Sequence, residues 1–149
     1  MSDEDTDDPR VFEHEWTVRF ADADPFGIAH YPNIILAVTD VSDRFMEAIG
    51  CSWAELALEH DAGFPIVEFN VEFERPVRAD DVVTIELRPS LGERSARFEY
   101  VGRLEDGSVA FTAYEQRAYL EKGADRASAV PDWLREAMAS YRAGDEVDD

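Results

Sequence analysis

The sequence predicts an α+β domain in which one long helix is wrapped by a curved antiparallel sheet of about five strands. Apolar residues with helical spacing run from Ile34 to Ile49, which predicts the long helix. Period-two alternation then dominates from Gly63 to Leu120 and predicts consecutive strands, with a tight hairpin at Asp106-Gly107. One long amphipathic helix facing several antiparallel strands is typical of a two-layer α+β arrangement.

The first half of the chain predicts a strand, a turn and the long helix. Val11–Phe20 alternates between apolar and polar residues, and we expect Trp16, Val18 and Phe20 on one face of a strand. After the turn, Pro32 suits the first turn of a helix because its missing N–H needs no acceptor there. The apolar stripe of this helix consists of Ile34, Ile35, Val38, Val41, Phe45, Met46 and Ile49.

The second half predicts a short helix, four strands and a terminal helix. Ser52–His60 begins with a capping box, since Ser52 is followed three residues later by Glu55. Pro131–Tyr141 has helical spacing, with Trp133 among the residues expected to face inward. The predicted strands are Ile66–Glu74, Val82–Pro89, Arg94–Leu104 and Ser108–Leu120. In the first of these strands the apolar face consists of Val67, Phe69, Val71 and Phe73.

The charge of the chain restricts the classes of function. The formal net charge is −20, and of the 14 basic residues only Lys122 is a lysine. Without a basic patch, binding to nucleic acid or to an anionic membrane is disfavoured. The even spread of acidic residues and the near absence of lysine favour a surface adapted to high salt over a docking site for a basic partner.

The length and the termini predict one domain without a membrane anchor. We assign residues 11–142 to a single domain, residues 1–10 to a disordered acidic segment and residues 143–149 to an acidic tail. No apolar run is long enough to cross a membrane. The acidic start is unlike a signal peptide, so we expect a cytoplasmic protein.

The segment Asp22–Asn33 contains a candidate site for acyl transfer. Pro25 and Gly27 predict a turn that holds Asp24 just before the start of the long helix. Free backbone N–H groups and partial positive charge gather at a helix start, where they can polarise a carbonyl group. Asp24 could attack such a carbonyl as a nucleophile, activate water as a general base, or only cap the turn.

Three sequence blocks resemble the hotdog-fold acyl-CoA thioesterases, in the branch of 4-hydroxybenzoyl-CoA thioesterase. The first block is RFADADPFGIAHYPN at residues 19–33, the second is GFPIVEFNVEF at residues 63–73, and the third is ADDVVTIE at residues 79–86. The likeness covers roughly residues 12–120 in the same order of elements. It implies a hotdog fold, hydrolysis of an acyl-CoA thioester, and active sites at the interface of a homodimer or homotetramer.

The resemblance also implies roles for particular residues. The family's catalytic carboxylate falls on Asp24, and the amide that polarises the thioester carbonyl falls near Tyr31. His30 could orient the acyl group, assist a proton transfer, or pack at an interface. Coenzyme A is part of the substrate, so neither a separate cofactor nor a metal is implied. The implied substrate contacts are Gly27, Ile28, Pro32, Glu68, Arg94 and Arg97, of which the two arginines would meet the nucleotide phosphates.

Several alternatives remain open from the sequence. A hydratase or dehydratase of the same architecture would act on similar thioesters, and a non-catalytic acyl-CoA-binding module would use Asp24 only as a cap. An interaction domain would use the acidic surface and need no ligand pocket. Asp40, Asp43 and Glu47 have helical spacing and could form a metal or acid–base site, but a solvated face paired with Arg44 is favoured.

Overall fold

The computed structural model describes residues 10–141, so the predicted acidic segments lie outside it apart from Arg10. Five strands form one antiparallel sheet in the order β1-β4-β5-β6-β3, and two short strands, β2 and β7, form a separate ribbon. The elements in chain order are β1 (Phe12–Thr17), α1 (Tyr31–Ala48), α2 (Trp53–Glu59), β2 (Ala62–Gly63), β3 (Ile66–Phe73), β4 (Val82–Leu91), β5 (Ser95–Arg103), β6 (Val109–Ala118), β7 (Leu120–Glu121) and α3 (Asp132–Met138).

Helix α1 buries one face against the sheet, as the apolar stripe predicts. Phe45 lies at the centre of this contact, with its ring edge-on to Phe12 of β1 and to Phe98 of β5 at centroid distances of 5.6 and 5.5 Å. The opposite face of α1 is exposed and contains Leu36 together with charged residues. The buried residues of α1 are Ile34, Val38, Val41, Ser42, Phe45 and Met46.

The first strand is shorter than predicted, and the expected position of Phe20 is wrong. After Thr17 the backbone of Val18 pairs with the β3–β4 linker, where its N–H donates to Asp81 O at 2.9 Å. The N–H of Arg19 then donates to the Asp22 carboxylate at 2.8 Å, which starts a 3-10 turn over Phe20–Asp22. Phe20 therefore points outward and is 88% exposed. The alternation of apolar and polar residues could not reveal this turn, because Phe20 continues the period-two pattern of Trp16 and Val18.

Strand β3 is an edge strand, and its apolar face is more exposed than predicted. It pairs with β6 on one side only. Val67 is 64% exposed and Phe73 is 51% exposed, whereas Phe69 and Val71 are half-buried against the core. A row of apolar side chains on an unpaired edge marks a surface that another strand can cover.

The capping box at α2 is confirmed, whereas α3 ends at Met138 instead of the predicted Tyr141 and exposes a residue that was expected to face inward. Ser52 Oγ accepts from the N–H of Glu55 at 3.1 Å, and the Glu55 carboxylate accepts from the N–H of Ser52 at 2.8 Å. In α3, Leu134 is buried, but Trp133 lies at the surface and stacks on His60 at 4.2 Å. No helix within residues 10–141 is long and apolar enough to cross a membrane.

Candidate active site at the start of helix α1

Backbone hydrogen bonds within residues 23–29 hold the loop before α1 in one conformation. Ala23 and Ala29 form an isolated antiparallel bridge, and the N–H of Asp24 donates to Ile28 O at 2.9 Å. Gly27 adopts a φ of +80°, and its N–H donates to Asp24 O at 2.9 Å. A Cβ on Gly27 would meet no atom within 4 Å, so this position requires glycine for its backbone conformation and not for space.

The Asp24 carboxylate divides its two oxygens between structure and solvent. Oδ1 accepts from the N–H of Phe26 at 2.8 Å and from the N–H of Ile28 at 3.3 Å. Within residues 10–141, no hydrogen bond or ion pair engages Oδ2, and the residue is half-buried. Asp24 therefore caps the turn through Oδ1, whereas Oδ2 has no partner among residues 10–141.

Asp22 holds the start of α1, and the amide of Tyr31 has no acceptor among residues 10–141. Asp22 O accepts from the N–H of His30 at 2.8 Å and from Nδ2 of Asn33 at 3.0 Å. Pro32, the second residue of the helix, has no N–H. Among the described residues no acceptor contacts the N–H of Tyr31, so this amide can donate to a ligand. The His30 side chain is exposed and contacts the Tyr31 ring edge-on at 5.4 Å.

An apolar cleft of about 360 Å³ opens between this helix start and the β3–β4 linker. The linker runs beside the site loop, because Ala29 donates its N–H to Val77 O at 2.6 Å and Ile28 forms a bridge with Arg78. Asp24 does not line this cleft; together with Phe20 and Gly27 it lines a second depression of the same loop. The cleft is lined by Ile28, Ala29, Tyr31, Ile34, Phe73, Glu74, Arg75, Pro76 and Val77.

Three predicted substrate contacts lie away from Asp24 within one chain. Glu68 of β3 and Arg97 of β5 share the outer face of the sheet with Tyr114. There Tyr114 donates its hydroxyl to Glu68 Oε2 at 2.5 Å, and the Arg97 guanidinium lies 3.8 Å from the Tyr114 ring centroid. Arg94 follows β4 at the end opposite the cleft, and a strand of 10 residues spans about 30 Å. A single chain therefore does not bring these residues to the site.

Two arginines that the sequence interpretation missed, Arg75 and Arg78, lie in the linker beside the site loop. Arg75 lines the cleft, and Arg78 stands opposite Ile28 in the bridge between the linker and the site loop. The signal was present in the segment RPVRADD at residues 75–81, which precedes a predicted strand and contains two arginines in an otherwise acidic chain. Sequence alone could not show that this segment returns to the start of α1.

A buried polar network was also missed. Glu115 is fully buried, and its Oε1 accepts from the Tyr100 hydroxyl and from Arg117 Nε, each at 3.0 Å. Arg117 also donates to Phe64 O at 2.8 Å, which ties β6 to the segment before β3. Burial, followed by the charge of Glu115, raises the pKa of Tyr100 well above its usual value. The sequence signal was the pair of charged residues at inward positions of an alternating strand.

The acidic residues of α1 form the solvated face that the sequence favours. Arg44 Nε lies 2.8 Å from Asp40 Oδ2, one turn away on the helix. The pKa of Asp43 is raised, first by burial and then by the charge of Asp40. Within residues 10–141, no group of three or more His, Cys, Asp or Glu residues is arranged to hold a metal ion.

Comparison with known proteins identifies the family. Residues 18–138 match the thioesterase-like superfamily, so the chain belongs to this family. The five-stranded sheet and the long helix are its hotdog fold. A solved structure of a gentisyl-coenzyme A thioesterase is 27% identical to this chain, with a TM-score of 0.73, and the match covers 85% of this chain and 98% of that one.

Two curated relatives are 1,4-dihydroxy-2-naphthoyl-CoA hydrolases. The protein from Nostoc punctiforme is 30% identical over 78 residues, which are 52% of this chain and 53% of that protein. The protein from Prochlorococcus marinus is 25% identical over 125 residues, which are 78% of this chain and 82% of that protein. This chain therefore spans about half the length of the first relative and most of the second.

Proposed function

We propose that this protein hydrolyses acyl-CoA thioesters to coenzyme A and a free acid. The observation that carries the proposal is a short loop that carries two groups: the Asp24 carboxylate, whose Oδ2 has no partner among residues 10–141, and the amide of Tyr31, which lines the apolar cleft and has no acceptor among those residues. The relatives described above are CoA thioester hydrolases by name, which supports the same reaction class. No metal is needed, because the helix start supplies the positive potential.

The reaction begins at the thioester carbonyl, whose oxygen accepts from the Tyr31 N–H. In one course, Asp24 Oδ2 attacks the carbonyl carbon, the C–S bond breaks, and coenzyme A leaves as a thiolate that takes a proton from solvent. Water then hydrolyses the mixed anhydride and releases the acid. In the alternative mechanism, Asp24 removes a proton from a water molecule that attacks the same carbon, the C–S bond breaks, and the coenzyme A thiolate takes up a proton as the acid is released. In a single turnover in ¹⁸O-labelled water, an unlabelled product acid identifies the first mechanism with water attack at the Asp24 carboxyl carbon, because the acid then contains an Asp24 oxygen.

The test of the proposed activity is Asp24→Asn. Asparagine keeps an oxygen that can accept from Phe26 and Ile28 but loses the negative charge, so we expect a folded protein with kcat lower by roughly 10²–10⁴-fold. Thiol release is measured in molar KCl, the condition in which a chain of net charge −20 has its self-repulsion screened. Full turnover by the folded variant would refute a chemical role for Asp24. Binding of acyl-CoA without turnover by the wild type would favour the non-catalytic binding module.

The acyl group that fits best is aromatic. The cleft of about 360 Å³ has apolar walls and presents the rings of Tyr31 and Phe73, which suits a flat aromatic acid. The relatives are named for naphthoyl and gentisyl thioesters, both aromatic. A panel of naphthoyl-, benzoyl-, hexanoyl- and decanoyl-CoA measures this preference. Higher kcat/KM for the aliphatic thioesters would refute it.

We also propose that two copies pair through β3 to complete the site. Ile66, Val67 and Phe73 expose apolar side chains on this unpaired edge. Antiparallel pairing of two β3 strands brings the Ile66 end of one copy, with Glu68, beside the Phe73 end and the cleft of the other. A homotetramer would need a second interface, between two such dimers. Light scattering of the wild type and Val67→Lys tests this, because the charge should shift a dimer toward monomers, and a monomeric active wild type would refute it.

A further inference from the structure

We infer that Arg75 and Arg78 bind the phosphate groups of the coenzyme A part of the substrate. The inference rests on the proposed thioesterase activity and concerns the binding of its substrate. It begins from the β3–β4 linker, in which Arg75 lines the cleft and the backbone of Arg78 forms a bridge with Ile28, another residue of the cleft lining.

The backbone of both arginines is fixed while their side chains reach solvent. The N–H of Arg75 donates to Ala110 O at 3.1 Å, and the N–H of Arg78 donates to Asp81 Oδ2 at 2.8 Å. Asp80, between them and β4, has a φ of +77°, which closes a tight turn at this point. Both side chains are exposed. The ordering of the linker therefore precedes binding, and a ligand has to fix only the two side chains.

Neither of these arginines forms an ion pair inside the described part of the chain. Neither Arg75 nor Arg78 has a carboxylate within 4.0 Å among residues 10–141. Arg75 acts on Asp106 at longer range, where it adds to the hydrogen bonds from Ser108 that lower the pKa of Asp106. By contrast, ion pairs with carboxylates engage Arg44, Arg88, Arg97, Arg103 and Arg117.

Free positive charge at this place has a physical consequence for substrate binding. Coenzyme A carries several phosphate charges, and it must approach a chain with a net charge of −20. A guanidinium matches a phosphate with two parallel hydrogen bonds, and a local positive field offsets the long-range repulsion. Arg97 serves this purpose less well, since its Nε already lies 2.9 Å from Glu99 and its charge stacks on Tyr114.

The first test measures binding without turnover. Titration calorimetry compares coenzyme A with pantetheine, which lacks the phosphates, at the lowest KCl concentration that keeps the protein folded by circular dichroism. We expect the wild type to bind coenzyme A at least about tenfold more tightly than pantetheine, and Arg75→Gln/Arg78→Gln to lose most of this preference. Arg75→Lys/Arg78→Lys should keep part of it, because the charge remains but the paired hydrogen bonds do not.

Two controls make the binding result specific. Arg88→Gln/Arg126→Gln removes the same total charge from exposed or half-exposed positions outside the cleft, so it should leave the preference unchanged. Arg97→Gln tests the rival position. An unchanged preference in Arg75→Gln/Arg78→Gln, or a loss confined to Arg97→Gln, overturns the inference. If the double variant fails to fold, the single variants Arg75→Gln and Arg78→Gln take its place in the same comparison.

The second test uses two thioesters of the same aromatic acid, one with coenzyme A and one with N-acetylcysteamine. We expect Arg75→Gln/Arg78→Gln to raise KM for the CoA thioester at least about tenfold and to leave the truncated thioester unchanged. Equal losses on both would overturn the inference and indicate a contact to the acyl group. A wild type that hydrolyses neither thioester, yet prefers coenzyme A through these arginines, would refute the proposed activity and support the phosphate site.

Discussion

The amide of Tyr31 can be removed by substitution without disturbing the helix that it begins. Proline has no N–H, and it is well tolerated at the first position of a helix. His30 has φ −70° and ψ 132°, an extended conformation that suits the residue before a proline. Tyr31→Pro therefore deletes one hydrogen-bond donor at the proposed oxyanion position and leaves the backbone path unchanged.

The expected cost follows from the loss of a single donor. One oxyanion donor is worth about 10²–10³ in kcat, which is roughly 3–4 kcal/mol of transition-state stabilisation. Folding should change little, since a compatible proline alters unfolding free energy by about 1 kcal/mol or less. The assay is thiol release from an aromatic acyl-CoA, with urea unfolding of the same samples.

Tyr31→Ala provides the matched control for this experiment. It keeps the N–H but removes the ring that contacts His30 and lines the cleft, so its effect should fall on KM more than on kcat. If folded Tyr31→Pro turns over as fast as Tyr31→Ala, the amide does not hold the oxyanion, and the assignment of the helix start as an oxyanion site is wrong.

Three further predictions concern stability. Gly102→Ala should destabilise the fold by about 1–3 kcal/mol, because its Cβ would lie 2.4 Å from the buried ring of Phe111. Glu115→Gln should cost about 3–5 kcal/mol, because it leaves the charge of Arg117 buried without its partner. The pKa of Asp43 is raised in the fold, so its stabilising effect is present below the ordinary value and is lost as pH rises through the folded value. Asp43→Asn should therefore lose less unfolding free energy than the wild type as pH rises through this range.

Urea unfolding checks all three, each with its own comparison. Gly63→Ala is the control for Gly102, since its Cβ meets only Pro65 Cδ at 3.9 Å, and it should be near neutral. Glu72→Gln, on an exposed strand position, is the control for Glu115. Equal effects within either pair would contradict the reasoning. For Asp43, the unfolding free energies of Asp43→Asn and of the wild type are compared from pH 3 to pH 7. If the two curves run parallel, Asp43 does not cause the pH dependence.

Local sequence signals predicted most of the fold, because they depend on neighbouring residues. The spacing of apolar residues predicted α1, and the serine and glutamate around α2 predicted its capping box. Glycine at position 27 and aspartate at position 24 predicted the turn before α1, where the structure has a φ of +80° and two side-chain hydrogen bonds. Each of these features is stabilised within a few residues, so the sequence contains the whole cause.

Where local signals failed, a distant segment decided the outcome. Phe20 continues the alternation of β1, yet Val18 pairs with Asp81 and the strand ends at Thr17. Val67 and Phe73 follow the same period as their buried neighbours, but they lie on a strand that has a partner on one side only. Period two predicts which side chains share a face, and it does not predict which strand lies at the edge.

By itself, then, the sequence determined the order of elements, the resemblance to its family and the position of Asp24 before a helix start. Only the tertiary structure decided that Asp24 uses one oxygen for the turn, that the amide of Tyr31 has no acceptor among residues 10–141, and that the linker with Arg75 and Arg78 lies against the segment that leads into α1. The physical reason is range: turns and caps form between residues a few positions apart, whereas the linker reaches the helix start from more than forty residues further along the chain.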